Sequence, residues 1–216
     1  MAAVPIRPEY GPTLGQLLAP RWHAASALAR RATIAAAALL VVVVAALVLT
    51  LLDSTYSHGG RVPFSFSYRG LYKTTPEPGG YVRIDGRSSS GALEYSFGVR
   101  PLTLPPYSGD LSGELPLFAS AYITQQAHRR SGFVLRGEGK TRVAGLSAYE
   151  ILYTALVEGR TMYGRDVLLL PERPGVREGV SIVMLTAPGA NRQVTGPMEV
   201  ATSGVLERPL RSFTIG

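Results

Sequence analysis

The sequence predicts an α+β domain carried behind one N-terminal transmembrane helix: an antiparallel sheet packed with two helices. Three observations predict it. Residues 32–52, ATIAAAALLVVVVAALVLTLL, are 21 consecutive residues without a charge. Beyond them, short segments alternate apolar and polar residues with the period of two that marks half-buried strands. Between two groups of such segments lies a stretch, residues 114–130, whose apolar residues recur at the helical period. Strands, helix, strands, helix is the order of an α+β domain, not of alternating βαβ units.

The apolar run comes first. At about 1.5 Å per residue it reaches roughly 31 Å, the thickness of a hydrocarbon core. It is apolar on every side, whereas a surface helix keeps one polar face. Arg30 and Arg31 precede it and Asp53 follows it. Basic residues are retained on the cytoplasmic side, which predicts a cytosolic tail over residues 1–31 and an extracytoplasmic C-terminal part. Leucines and valines fill the end of the run and no small-x-small site follows, so an uncleaved signal-anchor is expected rather than a removed signal peptide. Trp22 stands where an interfacial anchor would, and residues 21–31 are also readable as the same helix continuing into the cytosol.

Charge and composition narrow the rest. The chain has 216 residues, 46% of them hydrophobic and 17% charged, too apolar a mixture for a disordered protein. Its net charge is +7, and the absence of cysteine removes disulfides, thiol nucleophiles and cysteine-ligated metals. Residues 1–31 carry Arg7, Arg21, Arg30 and Arg31 against Glu9, while residues 53–216 carry 18 basic and 14 acidic side chains. That larger part lacks the dense basic stripe of a nucleic-acid binder, so no nucleic-acid partner is expected. Arginine outnumbers lysine 20 to 2, the bias of a GC-rich genome.

Residues 53–60 (DSTYSHGG) are polar and glycine-containing and read as a linker, which leaves residues 61–216 as one extracytoplasmic domain. Within it residues 62–69 alternate as a strand, residues 75–80 form a turn cluster, and residues 81–85 and 93–101 are strands around the loop 86–91. In the helix over 114–130, Leu115, Phe118, Ala119, Tyr122, Ile123 and Ala127 recur at the helical period and give one apolar face. Ser112 is its expected N-cap, Glu114 and Pro116 lie in its first turn, and Gly132 ends it. Strands are expected over 133–136, 142–143, 147–157, 161–170 and 180–187, with a turn at 137–139 and a hairpin at 158–160. Residues 168–170, three leucines, read as buried on both faces. Residues 198–206 are expected to be the second helix, with a short terminal segment over 210–215.

The second half carries the residues of a family resemblance. Val143-Ala144-Gly145-Leu146-Ser147-Ala148-Tyr149-Glu150 enters a strand, Gly159-Arg160-Thr161 precedes the next, and residues 180–187 with Pro188 end in L-T-A-P. Gly204-Val205-Leu206 leads to Arg211-Ser212-Phe213, and Phe64-Ser65-Phe66-Ser67-Tyr68 opens the domain. Together these resemble the PsbP/Mog-type α/β sandwich superfamily and its membrane-anchored bacterial relatives, over most of residues 62–216. The resemblance implies that fold, and a role in binding partners or aiding assembly. It transfers no site, because the matched residues are core and turn positions. The lipid-attachment cysteine of some bacterial relatives is absent here.

No complete catalytic constellation is visible. Gly145-Leu146-Ser147-Ala148-Tyr149 has half of a nucleophile elbow, but Tyr149 replaces the second glycine and the segment opens a strand. His58 lies in the linker and His128 on the polar side of the helix with Gln125, a solvated position. Gly139-Lys140-Thr141 matches the end of a phosphate-binding loop, whose first glycine is replaced by Val134. No cofactor and no metal are expected, since two separated histidines and scattered carboxylates (Asp85, Glu94, Asp110, Glu114, Glu150, Glu158, Asp166) form no ligand set. Each carboxylate reads as solvated or ion-paired. The nine tyrosines of residues 61–216, at 68, 72, 81, 95, 107, 122, 149, 153 and 163, suit sheet packing. If tyrosine and arginine build a partner surface, the loops 104–113 and 171–179 carry it, with Tyr107, Asp110, Arg173 and Arg177 as candidates. The function expected is therefore a membrane-tethered binding or assembly module, not an enzyme, with a protein partner at the outer membrane face. The alternative is a sensor or carrier of a small molecule or envelope polymer in a pocket between helix and sheet. A hydrolase depending on His128 ranks third.

Overall fold

The structure is a computed structural model that describes residues 26–51, 53–69, 74–76, 78–105, 111–171 and 177–216. The chain divides into two units, Met1–Thr50 and Leu51–Gly216.

The described residues of the first unit belong almost entirely to helix α1, Ala27–Leu51. Ser26 opens it: its Oγ accepts the Ala29 N–H at 3.2 Å, a serine cap at the expected kind of position. Residues Ala27–Val48 have a mean hydropathy of 2.5, and none of that surface is buried within the protein. By length and composition α1 is long and apolar enough to cross a membrane. Trp22 lies outside the described residues.

The second unit has two sheets, one on either side of a common core, and a helix on the outer face of the larger. Strands β1 (Asp53–His58) and β2 (Phe64–Arg69) pair in register from Asp53↔Arg69 to His58↔Phe64. Then follow β3 (Thr74–Thr75), β4 (Val82–Arg87), β5 (Leu93–Thr103), helix α2 (Leu111–Arg129), β6 (Val134–Val143), β7 (Leu146–Val157), β8 (Arg160–Leu169) and β9 (Glu178–Thr186). A 3-10 turn (Pro197–Glu199), helix α3 (Glu207–Arg211) and β10 (Thr214–Ile215) close the chain. The small sheet has the order β1-β2-β10 and the large one β3-β4-β5-β9-β8-β7-β6. Every pairing between these strands is antiparallel. After β5 the chain crosses by way of α2 to the far edge, and the meander β6 to β9 returns to pair with β5.

Side-chain alternation sorts the core into two layers. Phe97 and Val99 of β5, Val167 and Leu169 of β8, and Ile182 and Met184 of β9 face the small sheet, where they meet Phe64, Phe66 and Phe213. Tyr149, Ile151, Tyr153 and Ala155 of β7, Met162 and Leu168 of β8, and Leu185 of β9 face α2 and its Leu115, Ala119 and Tyr122. Leu168, Leu169 and Leu170 are each fully buried, as their unbroken apolar run predicts.

The hairpins follow their turn residues. Ala144 (φ 52°) and Gly145 (φ 85°) join β6 to β7, and Glu158 (φ 51°) and Gly159 (φ 75°) join β7 to β8. Two consecutive left-handed residues are the connection whose twist matches that of the flanking strands.

Several sequence expectations are corrected. Residues 53–60 are not simply a linker: Asp53–His58 is strand β1. Its alternation is written in small hydroxylic and aromatic residues, with the Tyr56 ring tilted against those of Phe64 and Phe66, centres 6.0 and 5.5 Å apart. Residues 137–139 are not a turn, because β6 runs through them with an irregularity between Leu135 and Gly137. Helix α2 begins at Leu111, so Ser112 lies inside it and Pro116 is its sixth residue. The second helix is not at 198–206. The chain there makes tight turns, with Ala201 at φ 62°, and helix α3 forms instead over Glu207–Arg211, burying Pro209 and Leu210.

Candidate functional site

The face of the large sheet that packs against α2 carries the chemistry. Strand register lays its side chains out in rows. One row runs Tyr153, Gly164, Leu185, Ser96, Asp85 across β7, β8, β9, β5 and β4. The next runs Ile151, Asp166, Val183, Gly98, Arg83. With strands about 4.8 Å apart, Asp166 and Arg83 stand three strands and about 14 Å from each other. Helix α2 covers the β7–β8 end of these rows, and the β9–β5–β4 end forms the floor of a groove.

At the covered end Asp166 is buried completely. An isolated carboxylate there would be costly, and the cost is met by partners. The Tyr153 hydroxyl donates to Asp166 Oδ1 at 2.8 Å, and the Tyr122 hydroxyl, from α2, donates to Oδ2 at 2.8 Å. Arg130, just past the end of α2, places Nη2 3.5 Å from Oδ2 and donates through Nη1 to the Tyr153 hydroxyl. Its Nε donates to Gln126 Oε1 at 2.8 Å, and its guanidinium lies 4.8 Å from the centre of the Tyr153 ring. Gly164 makes the arrangement possible. A Cβ at that position would stand 2.2 Å from the Tyr153 ring, so only glycine lets the ring lie across β8 toward Asp166. Burial, reinforced by Asp166, pushes both tyrosine hydroxyls well above their ordinary range, so they stay protonated donors.

The open end is a hollow of about 280 Å³ between α2 and the sheet. Ser96, Gly98, Val183 and Leu185 floor it, with Val157 and Gln126 at its sides. Ser96 and Gln126 are 5% and 4% exposed, which puts two polar side chains into an otherwise apolar surface. Four arginines converge on the hollow: Arg83 from β4, Arg100 from β5, and Arg129 and Arg130 from the end of α2. Gln126, Arg129 and Arg130 reach it together because residues three and four apart share a helix face. Arg83 Nε is held by Asp85 Oδ1 at 2.7 Å, and Arg130 is held from behind by Asp166. Guanidinium forks fixed in this way bind oxyanions or the acidic side chains of a partner.

The structure places the sequence-derived candidates as follows. Tyr107, Asp110 and Arg173 lie outside the described residues. Arg177 turns inward: its Nη1 donates to Glu114 Oε1 at 3.0 Å and to the Pro105 carbonyl, tying α2 to the end of β5. His128 is exposed on α2. His58 stacks on Phe64 with ring centres 5.0 Å apart and lies tilted against Tyr81 at 4.3 Å. Lys140 and Thr141 sit within β6. The described tyrosines of the sequence list divide between the two cores: 68, 81, 95 and 163 pack on one and 122, 149 and 153 on the other.

No protein-family model matches the chain, and no curated protein sequence does. Its likeness is to solved structures. Cyanobacterial PsbP (CyanoP) from Synechocystis superposes with a TM-score of 0.50 at 13% identity, over 76% of this chain and 92% of that one. LpqN, described as involved in cell envelope biogenesis of Mycobacterium tuberculosis, superposes with a TM-score of 0.51 at 13% identity, over 76% of this chain and 91% of that one. At such identity the likeness speaks for architecture, and it agrees with the residues that carried the resemblance: the chain has the PsbP-like fold.

Proposed function

We propose that this protein is a membrane-tethered extracytoplasmic binding module, which holds its ligand or partner in the groove between α2 and the large sheet and carries out no catalysis. The observation that carries the reading is the groove itself: four arginines from three elements around a hollow with a polar floor. Helix α1 supplies the tether, and Arg30 and Arg31 ahead of its apolar residues favour a cytosolic N-terminus. The architecture shared with LpqN, a protein of cell envelope biogenesis, supports an envelope role.

The small size of the hollow also favours the alternative reading, a carrier or sensor of a small molecule. Both readings use the same groove and are tested together. A photo-crosslinking amino acid at Val157 in the full-length chain, activated in intact cells, is expected to give a discrete adduct. The adduct should disappear when Arg83 and Arg129 are replaced by alanine. No adduct from Val157, or one indifferent to those replacements, would argue against the groove as the binding site.

A further inference from the structure

We infer that strand β6, the long free edge of the large sheet, pairs antiparallel with β6 of a second copy of this chain, in the register that sets Gly139 opposite itself. This edge is at the other end of the sheet from the groove floor, and the inference does not depend on what the groove binds.

The edge is the first observation. β6 closes one side of the large sheet with ten residues, while β3, the described strand at the opposite edge, has two. Strands run to about five or six residues, and exposed edges are ordinarily kept short, because their unpaired backbone groups are a template for another strand. The hairpin fixes which groups those are. Val143 and Leu146 flank a connection of two left-handed residues, so they exchange both backbone bonds, and so do the alternate pairs before them, Thr141 with Ala148 and Gly139 with Glu150. Glu138, Lys140 and Arg142 therefore turn their N–H and C=O groups away from β7. Among the described residues no other backbone group bonds to them.

Charge order is the second. Glu138, Lys140 and Arg142 are exposed and form no ion pair among the described residues. The Tyr149 hydroxyl bonds Glu138 from the neighbouring strand, and a carboxylate has further acceptor sites. Charges on an edge ordinarily discourage pairing, and here their order leaves one pairing open. A parallel pair in register, or an antiparallel pair centred on Glu138, Lys140 or Arg142, sets a charge opposite itself. Centring on Thr141 sets Lys140 opposite Arg142. Centring on Gly139 sets Glu138 opposite Lys140 of the other copy, twice, with their outward backbone groups facing each other. Arg142 would then meet Arg136, but Arg136 is the extra residue of the irregularity between Leu135 and Gly137 and stands outside the ladder. The contact is isologous, as a two-fold dimer requires.

Space is the third. A Cβ at Gly139 would meet nothing within 4 Å, so that face of the edge is bare. In the inferred register the two Gly139 residues form a non-hydrogen-bonded pair, the closer antiparallel spacing, with about 4.5 Å between Cα atoms.

The chain has no cysteine, so one introduced at Gly139 reports the pairing. The backbone there is not left-handed and accepts a side chain. Full-length Gly139→Cys, in membranes of expressing bacteria, is oxidised with copper phenanthroline and air. A disulfide-linked dimer should form at least tenfold faster than with Thr141→Cys, whose two copies stand about 14 Å apart in this register. Adding Glu138→Lys, which opposes Lys140 with lysine, should slow cross-linking of Gly139→Cys at least tenfold. Adding Lys140→Glu as well should restore it. A Gly139→Cys chain that stays monomeric overturns the inference. So does equally fast cross-linking of Thr141→Cys, or a Gly139→Cys rate indifferent to Glu138→Lys. A slowed rate that Lys140→Glu fails to restore, in a chain melting within about 2 °C of the parent, overturns it too. The Val157 adduct tests the groove and not this edge, so the two readings fail separately.

Discussion

Asp166 shows how one buried charge organises a surface. It lies at the centre of β8, receives hydroxyls from a strand and a helix, and anchors the arginine that lines the groove. Replacing it with alanine leaves Arg130 and two tyrosine hydroxyls without their acceptor in a water-excluded place. We expect a loss of about 3–5 kcal/mol, read as a fall in the denaturant midpoint of the outer domain. Gly164→Ala tests the same arrangement by crowding: the added methyl meets the Tyr153 ring, for a cost of about 1–3 kcal/mol. The tyrosines give a pH signature. Their hydroxyls ionise above the ordinary value of 10.0 in the folded state. As pH rises past about 10, the unfolded chain releases protons that the folded chain keeps, so stability falls. The slope is about 1.4 kcal/mol per pH unit for each tyrosine until its folded value is reached. The Tyr122→Phe, Tyr153→Phe variant should flatten that alkaline decline, and denaturation curves between pH 9 and 11 measure it.

At the scale of elements, strong periodic signals were legible and weak ones were not. The β7–β8 hairpin and the buried leucines at 168–170 are read directly from residue spacing, and so is most of the α2 face, although Ala127 is exposed and Gln126 is buried in its stead. The helix expected at 198–206 failed because its apolar residues fit two turns as well as one helix, and the backbone there passes through a left-handed Ala201. Strand β1 was hidden because it is made of aspartate, serine, threonine, tyrosine and histidine, and only pairing with β2 reveals it. The groove was invisible for a related reason: its arginines come from three elements distant in sequence, brought together by strand register. Asp166 left one clue, a carboxylate placed immediately before the buried apolar run at 167–170, where a charge persists only with partners. The β1 assignment makes its own prediction. Backbone amides of alternate β1 residues should exchange with deuterium as slowly as those of β2. Exchange at the rate of an unstructured chain would return residues 53–58 to a linker.

For the whole molecule, the claim we propose is that an apolar helix holds the PsbP-like domain on the outer side of a membrane. The absence of cysteine makes the claim directly testable. Single cysteines are placed at Ser89, in an exposed turn of the domain, and at Ala3, ahead of the apolar helix. The full-length chain is expressed in bacteria, and intact cells are treated with a membrane-impermeant maleimide. We predict labelling at Ser89→Cys in intact cells, labelling at Ala3→Cys only after lysis, and recovery of the full-length chain in the membrane fraction. Labelling of Ala3→Cys but not of Ser89→Cys in intact cells, or a full-length chain recovered in the soluble fraction, would contradict it.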